Sequence, residues 1–197
     1  DGDADGIVDA TFRFTGDLSD TRFLLTRTGE GDTTLTRTDD LNAGVLLREG
    51  RDSLFVFDGG IIDGGGGNDF LRGSGETTLI GSDGGDFLFG RNGSQLIAGG
   101  EGRDFYFGGR GADTFVIDVQ DFPVVATDRE NIFDFDAARD VLHLSGFGFD
   151  SLSDLQFEER FGSIRIFLEE GAVRLRNVTF EDLTEDNVRF GLAELTT

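Results

Sequence analysis

A glycine- and aspartate-rich repeat in the middle of the chain constrains its fold more than any other feature. Four stretches share the pattern G-x-x-G-x-D-x-U-x, where U is a large apolar residue: residues 64–72, 81–89, 99–107 and 108–116. A weaker copy lies at 47–55, and copies that have lost the aspartate lie at 56–63, 73–80 and 90–98. Because a short fixed period is typical of solenoids, the repeat predicts stacked coils.

The spacing of the aspartates gives the size of one coil. Asp52, Asp69, Asp86 and Asp104 are separated by 17, 17 and 18 residues, which is about two nonapeptides. Glycines permit tight turns and the D-x-U-x stretch favours a short strand, so two turns and two strands close each coil. Alternation within the strands predicts which side chains form an internal ladder: Leu71, Leu88, Tyr106, Ile80 and Ile97. The flanking Phe70, Phe87 and Phe105 are expected to face outward or into a covering segment.

Charge indicates what must accompany this fold. The chain has 39 acidic and 17 basic residues and a formal charge of −22, which makes nucleic acid an unsuitable partner. Aspartates stacked about 4.8 Å apart repel one another unless a cation bridges them. With no Cys and the single His143, thiolate and multi-histidine metal sites are excluded, and the oxygen ligands that remain suit Ca²⁺.

At these residues the sequence resembles the RTX family, the hemolysin-type calcium-binding repeat proteins exported by bacterial type I secretion. The resemblance implies an all-β fold: a right-handed parallel β-roll that holds several calcium ions between its turns. It also implies a set of metal ligands, namely Asp52, Gly64, Gly65, Gly67, Asp69, Gly81, Asp83, Gly84, Asp86, Gly99, Gly100, Gly102, Asp104, Gly108, Gly109, Gly111 and Asp113. On the opposite edge Thr77 and Gln95 stand near the aspartate position, so calcium is expected mainly along one edge.

The N-terminal segment leaves two interpretations open. Its first residues place Asp1, Asp3, Asp5 and Asp9 at the spacing of an EF-hand-type loop, but position twelve is Phe12 rather than the bidentate Glu. This stretch is either a calcium loop or a flexible acidic terminus. Residues 11–47 alternate Thr, Arg and apolar groups and predict strands. We expect the roll to begin there, with Thr33 at the aspartate position of the later turns.

The C-terminal part predicts a β-rich cap. After Val116 the glycine repeat ends, and NIFDFD, DVLHLSGF, SIRIFLEE, AVRLRNVTF and NVRFG predict strands that cover the end of the roll. Residues 108–191 resemble the segments that follow RTX repeats, which implies an export signal within the last few dozen residues. Asp134, Asp136 and Asp140 form either a further calcium loop or a solvated turn. The expected division is 1–46 (acidic loop and leading strands), 47–116 (β-roll) and 117–197 (cap).

The sequence favours a protein that is not an enzyme. His143 alternates with Leu142 and Leu144, which places it on the outer face of a strand rather than in a catalytic site. No apolar run approaches the about 20 residues that cross a bilayer. Two functions remain open: a folding and export module at the end of a larger secreted protein, which the missing initiator Met favours, or an extracellular subunit that assembles with itself or on a cell surface.

Overall fold

A computed structural model describes residues 22–27, 33–38, 45–47, 50–56, 59–121, 129–168 and 171–192. These residues form short β-strands joined by turns, without an α-helix in any of the ranges named. The strands are β1 Arg22–Arg27, β2 Thr33–Thr38, β3 Val45–Leu46, β4 Ser53–Phe55, β5 Gly60–Asp63, β6 Phe70–Arg72, β7 Thr77–Ile80, β8 Phe87–Phe89, β9 Leu96–Ala98, β10 Phe105–Phe107, β11 Thr114–Asp118, β12 Arg129–Ile132, β13 Val141–Ser145, β14 Gln156–Arg160, β15 Ser163–Phe167, β16 Ala172–Arg176 and β17 Val188–Gly191.

From β3 onward the chain winds into a parallel β-roll. Successive strands alternate between two sheets, so each strand pairs in parallel with the strand one coil later. Sheet I has the order β14-β15-β16-β12-β10-β8-β6-β4, and sheet II has the order β17-β13-β11-β9-β7-β5-β3. The expected all-β parallel roll is confirmed. Its strands are only three to five residues long in the repeat region because glycine turns interrupt them twice in every coil.

Inward side chains of the strands build the core between the two sheets. Leu71, Leu88 and Tyr106 stack from sheet I, and Ile97 lies in the matching column of sheet II, all with no exposed surface. The expectation for Ile80 was wrong, because Leu79 is the buried residue and pairs with Ile97, while Ile80 faces outward. The copy at 73–80 has eight residues rather than nine, and this shift of one position reverses which side chain faces the core.

The outer face of sheet I carries two rows of aromatic rings. One row contains Phe70, Phe87 and Phe105, and the rings of Phe87 and Phe105 stack 4.6 Å apart. In the second row Phe107 stacks on Phe89 at 4.5 Å and on Phe133 at 4.6 Å. The expectation of outward phenylalanines is therefore confirmed. Arginine guanidinium groups lie over the ends of both rows, over Phe105 in the first and over Phe133 in the second.

The N-terminal strands differ from the expectation. β1 and β2 are strands, as predicted, but they pair with each other antiparallel, from Arg22 opposite Thr38 to Arg27 opposite Thr33. Thr33 is therefore the first residue of a hairpin strand and does not occupy the aspartate position of a coil. The placement of Thr33 in a coil was therefore wrong, and the roll's first described parallel pair is β3 with β5, where β3 lies at the end of this segment.

Both sheets continue beyond the last glycine repeat. β12 pairs in parallel with β10, and β13 pairs in parallel with β11, so the coil geometry persists after residue 116. Sheet I then ends in the antiparallel strands β14, β15 and β16, while β17 closes sheet II. The five predicted C-terminal strand segments are thus confirmed. No helix among the described residues has the length and apolarity needed to cross a membrane.

Candidate metal-binding edge of the roll

The repeat aspartates precede the strands of sheet I and point into the roll. Asp69 stands directly before β6, Asp86 before β8 and Asp104 before β10. Asp52 stands in the same place before β4, and none of these four residues exposes more than 3% of its surface. Carboxylates are rarely this buried unless they are paired or hold a metal. We call the row of turns that carries Asp52, Asp69, Asp86 and Asp104 the first edge.

In three of these aspartates, Asp69, Asp86 and Asp104, one carboxylate oxygen supports the neighbouring coil. The Oδ1 atom of Asp69 accepts the backbone N–H of Asp52 at 2.8 Å, and Oδ1 of Asp86 accepts that of Asp69 at 2.7 Å. In the same way Oδ1 of Asp104 accepts the N–H of Asp86 at 2.7 Å. Each aspartate therefore fixes the register of two coils through a charge-assisted hydrogen bond.

The second oxygen is left facing other oxygens. Oδ2 of Asp69 and Oδ2 of Asp86 are buried and have no hydrogen-bond partner. A β-carbon added to Gly64 would meet Asp69 Oδ2 and lie 2.8 Å from the carbonyl oxygen of Gly81 in the next coil. A β-carbon on Gly81 would likewise meet Asp86 Oδ2 and the Gly99 carbonyl. Carboxylate and carbonyl oxygens around a space without a side chain are the donor set that Ca²⁺ prefers.

The electrostatics of this edge also favour the binding of a cation. Burial, together with neighbouring carboxylates, raises the pKa of Asp69 from 3.8 to about 7, against the lowering effect of the hydrogen bond from Asp52. Burial raises the pKa of Asp86 to about 6, and Asp83 adds a smaller repulsion. Carboxylates that resist ionisation in the absence of a cation become stable anions when a cation binds beside them.

The glycines allow adjacent coils to approach closely. Gly84 has φ +133°, and a β-carbon there would overlap the carbonyl oxygen of Gly67 in the preceding coil. The predicted ligand glycines with positive φ are Gly65, Gly67, Gly84, Gly100, Gly102, Gly109 and Gly111. Asp83 differs from the other predicted aspartates, because its side chain is exposed and only its backbone pairs with Gly65 and Gly67.

The opposite row of turns, which we call the second edge, is mixed. Strand register aligns Thr77, Gln95, Asp113 and Asp140 in one column before the strands of sheet II. Asp113 repeats the arrangement of the first edge: its Oδ1 accepts the N–H of Gln95 at 2.8 Å, and its Oδ2 is buried without a hydrogen-bond partner. Burial raises the pKa of Asp113 to about 6.

Of two further carboxylates in the ladders, the sequence reasoning missed Glu130 and noted Asp140 only as part of the acidic cluster with Asp134 and Asp136. Glu130 is fully buried and accepts the N–H of Asp104 at 3.1 Å, which extends the first edge by one coil. Asp140 accepts the N–H of Asp113 at 3.0 Å and extends the second edge. No glycine loop of the repeat type directly precedes either residue in the sequence. The only signal was an acidic residue near apolar ones, within β12 for Glu130 and directly before β13 for Asp140.

The other acidic segments are placed as follows. Asp134 accepts the N–H groups of Gly108 and Gly109, both at 2.9 Å, and Asp136 pairs with Arg139. The N-terminal aspartates Asp1, Asp3, Asp5 and Asp9 lie outside the described residues. Within the described ranges no three acidic, histidine or cysteine side chains converge on one point. A cation at the edges therefore needs backbone carbonyls in addition to carboxylates.

Fold and edge together define a calcium-binding β-roll. The model of the family described as "RTX calcium-binding nonapeptide repeat (4 copies)" matches residues 61–77 and 80–115. The chain thus carries RTX repeats, as its motifs indicated. A comparison with curated protein sequences finds no significant match.

Solved structures with similarity to this chain include two epimerase subunits and a lipase. The AlgE6R2 subunit of the mannuronan C5-epimerase from Azotobacter vinelandii is 27% identical, with 73% of this chain and 94% of that chain covered and a TM-score of 0.53. The AlgE6R3 subunit of the same enzyme is 24% identical, covers 75% and 82%, and has a TM-score of 0.41. Extracellular lipase LipA from Serratia marcescens is 14% identical with a TM-score of 0.47, and the match covers 74% of this chain but only 39% of the lipase.

Proposed function

We propose that this chain is a module that folds on calcium binding after export through a type I secretion system. One observation carries the proposal: in a row of buried carboxylates, Asp69 and Asp86 each place an oxygen without a hydrogen-bond partner beside a glycine and a carbonyl oxygen of the next coil. Buried anions in this arrangement destabilise the fold until a cation neutralises them. The calcium-binding type of the repeats supports the same conclusion.

We assign the ions to the spaces between successive turns. Carboxylates of the first edge would contribute side-chain oxygens, and the glycine turns would contribute carbonyls, with Asp113 serving the second edge. The proposed ligands comprise Asp52, Asp69, Asp83, Asp86, Asp104, Asp113 and the glycine turns 64–67, 81–84, 99–102 and 108–111. We keep Asp1, Asp3, Asp5 and Asp9 as a separate proposed calcium loop.

The charge of the chain connects calcium to export. In a cytosol low in free calcium, the net charge of −22 and the empty aspartate turns would keep the chain unfolded and able to pass a narrow channel. Outside the cell calcium would fold it. At a concentration about ten times the dissociation constant each site adds about 1.4 kcal/mol, so about three to five sites supply several kcal/mol, comparable to the net stability of a domain.

The remaining parts of the chain fit this role. We propose that residues 47–116 form the calcium roll, that residues 1–46 lead into it and that residues 117–197 act as a cap with the export signal. The module would stand at the end of a larger secreted protein whose other parts perform any chemistry. Its partners would then be calcium and the type I secretion machinery.

Secretion tests the proposal. The full chain and a variant without residues 150–197 would be produced in a host that carries the matching type I system, and protein in the medium would be quantified. We expect the deletion to abolish secretion. Export of the truncated chain at full yield would refute the export role and leave the calcium-dependent fold untouched.

The aromatic face of sheet I favours a second candidate function, calcium-dependent self-assembly at the cell surface. Phe70 and Phe87 expose 38% and 41% of their surface, and arginines flank their rows. Aromatic side chains and arginine are typical of interface centres. Two copies that each carry a charge of −22 repel each other, and bound calcium would reduce this repulsion, so assembly should depend on calcium. Sedimentation of the wild type and Phe87→Ser in calcium tests it; a wild type that stays monomeric refutes self-assembly.

A further inference from the structure

Gln95 occupies an aspartate position of the second edge but differs from the aspartates in chemistry. Strand register aligns it with Thr77 in the preceding coil and Asp113 in the following coil. The residue is 2% exposed, and its backbone N–H donates to Asp113 Oδ1. A neutral amide thus stands in a column that continues with carboxylates.

The amide nitrogen of Gln95 faces the N-terminal side of the roll. Nε2 donates to the carbonyl oxygen of Gly75 in the preceding coil at 2.5 Å and to that of Asn92 at 3.2 Å. Two acceptors at these distances identify this atom as the nitrogen, because an oxygen there would be repelled by both carbonyls. The two N–H groups therefore occupy the Gly75 and Asn92 carbonyl oxygens, which a cation between the turns of Gly75 and Gln95 would need as ligands.

The amide oxygen of Gln95 faces the C-terminal side. Oε1 is buried and has no hydrogen-bond partner. A β-carbon on Gly90 would lie 2.5 Å from Oε1 and would also meet the carbonyl oxygen of Gly108 in the next coil. On the first edge Asp69 Oδ2 and the next coil's carbonyl flank Gly64 in the same way. Gln95 Oε1 thus takes the position that a carboxylate oxygen has elsewhere.

We propose that Gln95 marks where calcium binding begins on the second edge. Its amide nitrogen hydrogen-bonds to the Gly75 carbonyl and so prevents calcium from binding between these two turns. Its amide oxygen is a neutral ligand of the first ion of that edge, together with the Gly108 carbonyl and the Asp113 carboxylate. In the preceding turn a hydroxyl group likewise occupies a carbonyl that calcium would need, since Thr77 Oγ1 donates to the Ser74 carbonyl at 2.8 Å. The inference rests on the proposed calcium function and adds where its second row starts.

Two substitutions of Gln95 give opposite expectations. Gln95→Glu keeps the oxygen toward Gly108 and places a second oxygen against the carbonyls of Gly75 and Asn92, so the chain should bind one more calcium ion than the wild type. Gln95→Leu removes both functions and should bind one ion fewer. Ser94→Glu is the matched control, because it adds the same charge at the neighbouring exposed position and should leave the number of ions unchanged.

Isothermal titration calorimetry and native mass spectrometry of the full chain would count the ions. A wild type that binds no calcium would refute the proposed function itself. If the wild type binds calcium but Gln95→Glu binds the same number of ions as Ser94→Glu, Gln95 does not prevent calcium binding on its Gly75 side, and the inference is overturned. Should Gln95→Leu fail to fold, the comparison between the two glutamate variants decides alone.

Discussion

Replacing Asp86 with Asn separates the two functions of a ladder carboxylate. The asparagine oxygen can still accept the N–H of Asp69, which Asp86 Oδ1 accepts at 2.7 Å. Its amide nitrogen replaces Oδ2, the buried oxygen that has no hydrogen-bond partner and faces Gly81 and the Gly99 carbonyl. The variant therefore keeps the contact between coils and loses the charge that we assign to calcium.

The expected effect changes sign with calcium. Burial raises the pKa of Asp86 from 3.8 to about 6, a difference that costs the metal-free fold up to about 3 kcal/mol above pH 6 and nothing below the unfolded pKa. Without calcium Asp86→Asn should thus be more stable than the wild type at pH 8. With calcium at about one hundred times the dissociation constant each site adds about 2.7 kcal/mol, so the loss of two adjacent sites removes about 5 kcal/mol. This loss exceeds the gain of about 3 kcal/mol, so the variant should be the less stable protein by about 2 kcal/mol.

Urea unfolding followed by far-ultraviolet circular dichroism, in chelator and in calcium, measures both effects. Asp186→Asn serves as control, because it removes one exposed charge from the cap and should behave alike in the two conditions. The reasoning fails if Asp86→Asn destabilises the chain by the same amount with and without calcium, since the residue would then act only through its hydrogen bond.

Two further predictions follow from the same edge. Lowering the pH from 8 to 5 should weaken calcium binding at least about tenfold in calorimetry, because burial raises the pKa of Asp69 to about 7 and the carboxylate becomes protonated. The same protonation should increase the β content of the metal-free chain. An affinity that does not change with pH would contradict the placement of the ions. Gly84→Ala should lower stability in calcium by about 3 kcal/mol or more, because its β-carbon overlaps a carbonyl of the adjacent coil, whereas Gly162→Ala, at a positive φ but with open space around it, should cost about 1 kcal/mol. Equal losses in thermal denaturation would show that close approach of the coils is unimportant.

The sequence predicted the first edge because the aspartate period is also the coil length. Asp52, Asp69, Asp86 and Asp104 recur every 17 or 18 residues, so their alignment depends only on counting. Where a copy changed length the counting failed, and the inward position moved to Leu79. Glu130 was missed because it lies within β12, and the sequence directly before this strand contains no glycine repeat.

Other features depend on information that a periodic pattern does not contain. Alternation predicted β1 and β2 as strands, but it occurs in parallel and antiparallel strands alike and therefore did not predict their antiparallel pairing. The environment of the Gln95 amide likewise depends on the coils before and after it. Nε2 donates to the carbonyl of Gly75, and Oε1 lies beside Gly90 together with the carbonyl of Gly108. Gly75 and Gly108 are both distant from Gln95 in sequence. Sequence reasoning located this position but could only note that the carboxylate was missing.

A calcium titration of the full chain tests the central claim most directly. Starting in chelator, circular dichroism would follow β content while calorimetry counts the ions. The account predicts a largely disordered chain that gains β structure cooperatively as about three to five ions bind, near the extracellular range of about 0.1–1 mM. A spectrum that is already β-rich in chelator and does not change with calcium would contradict it.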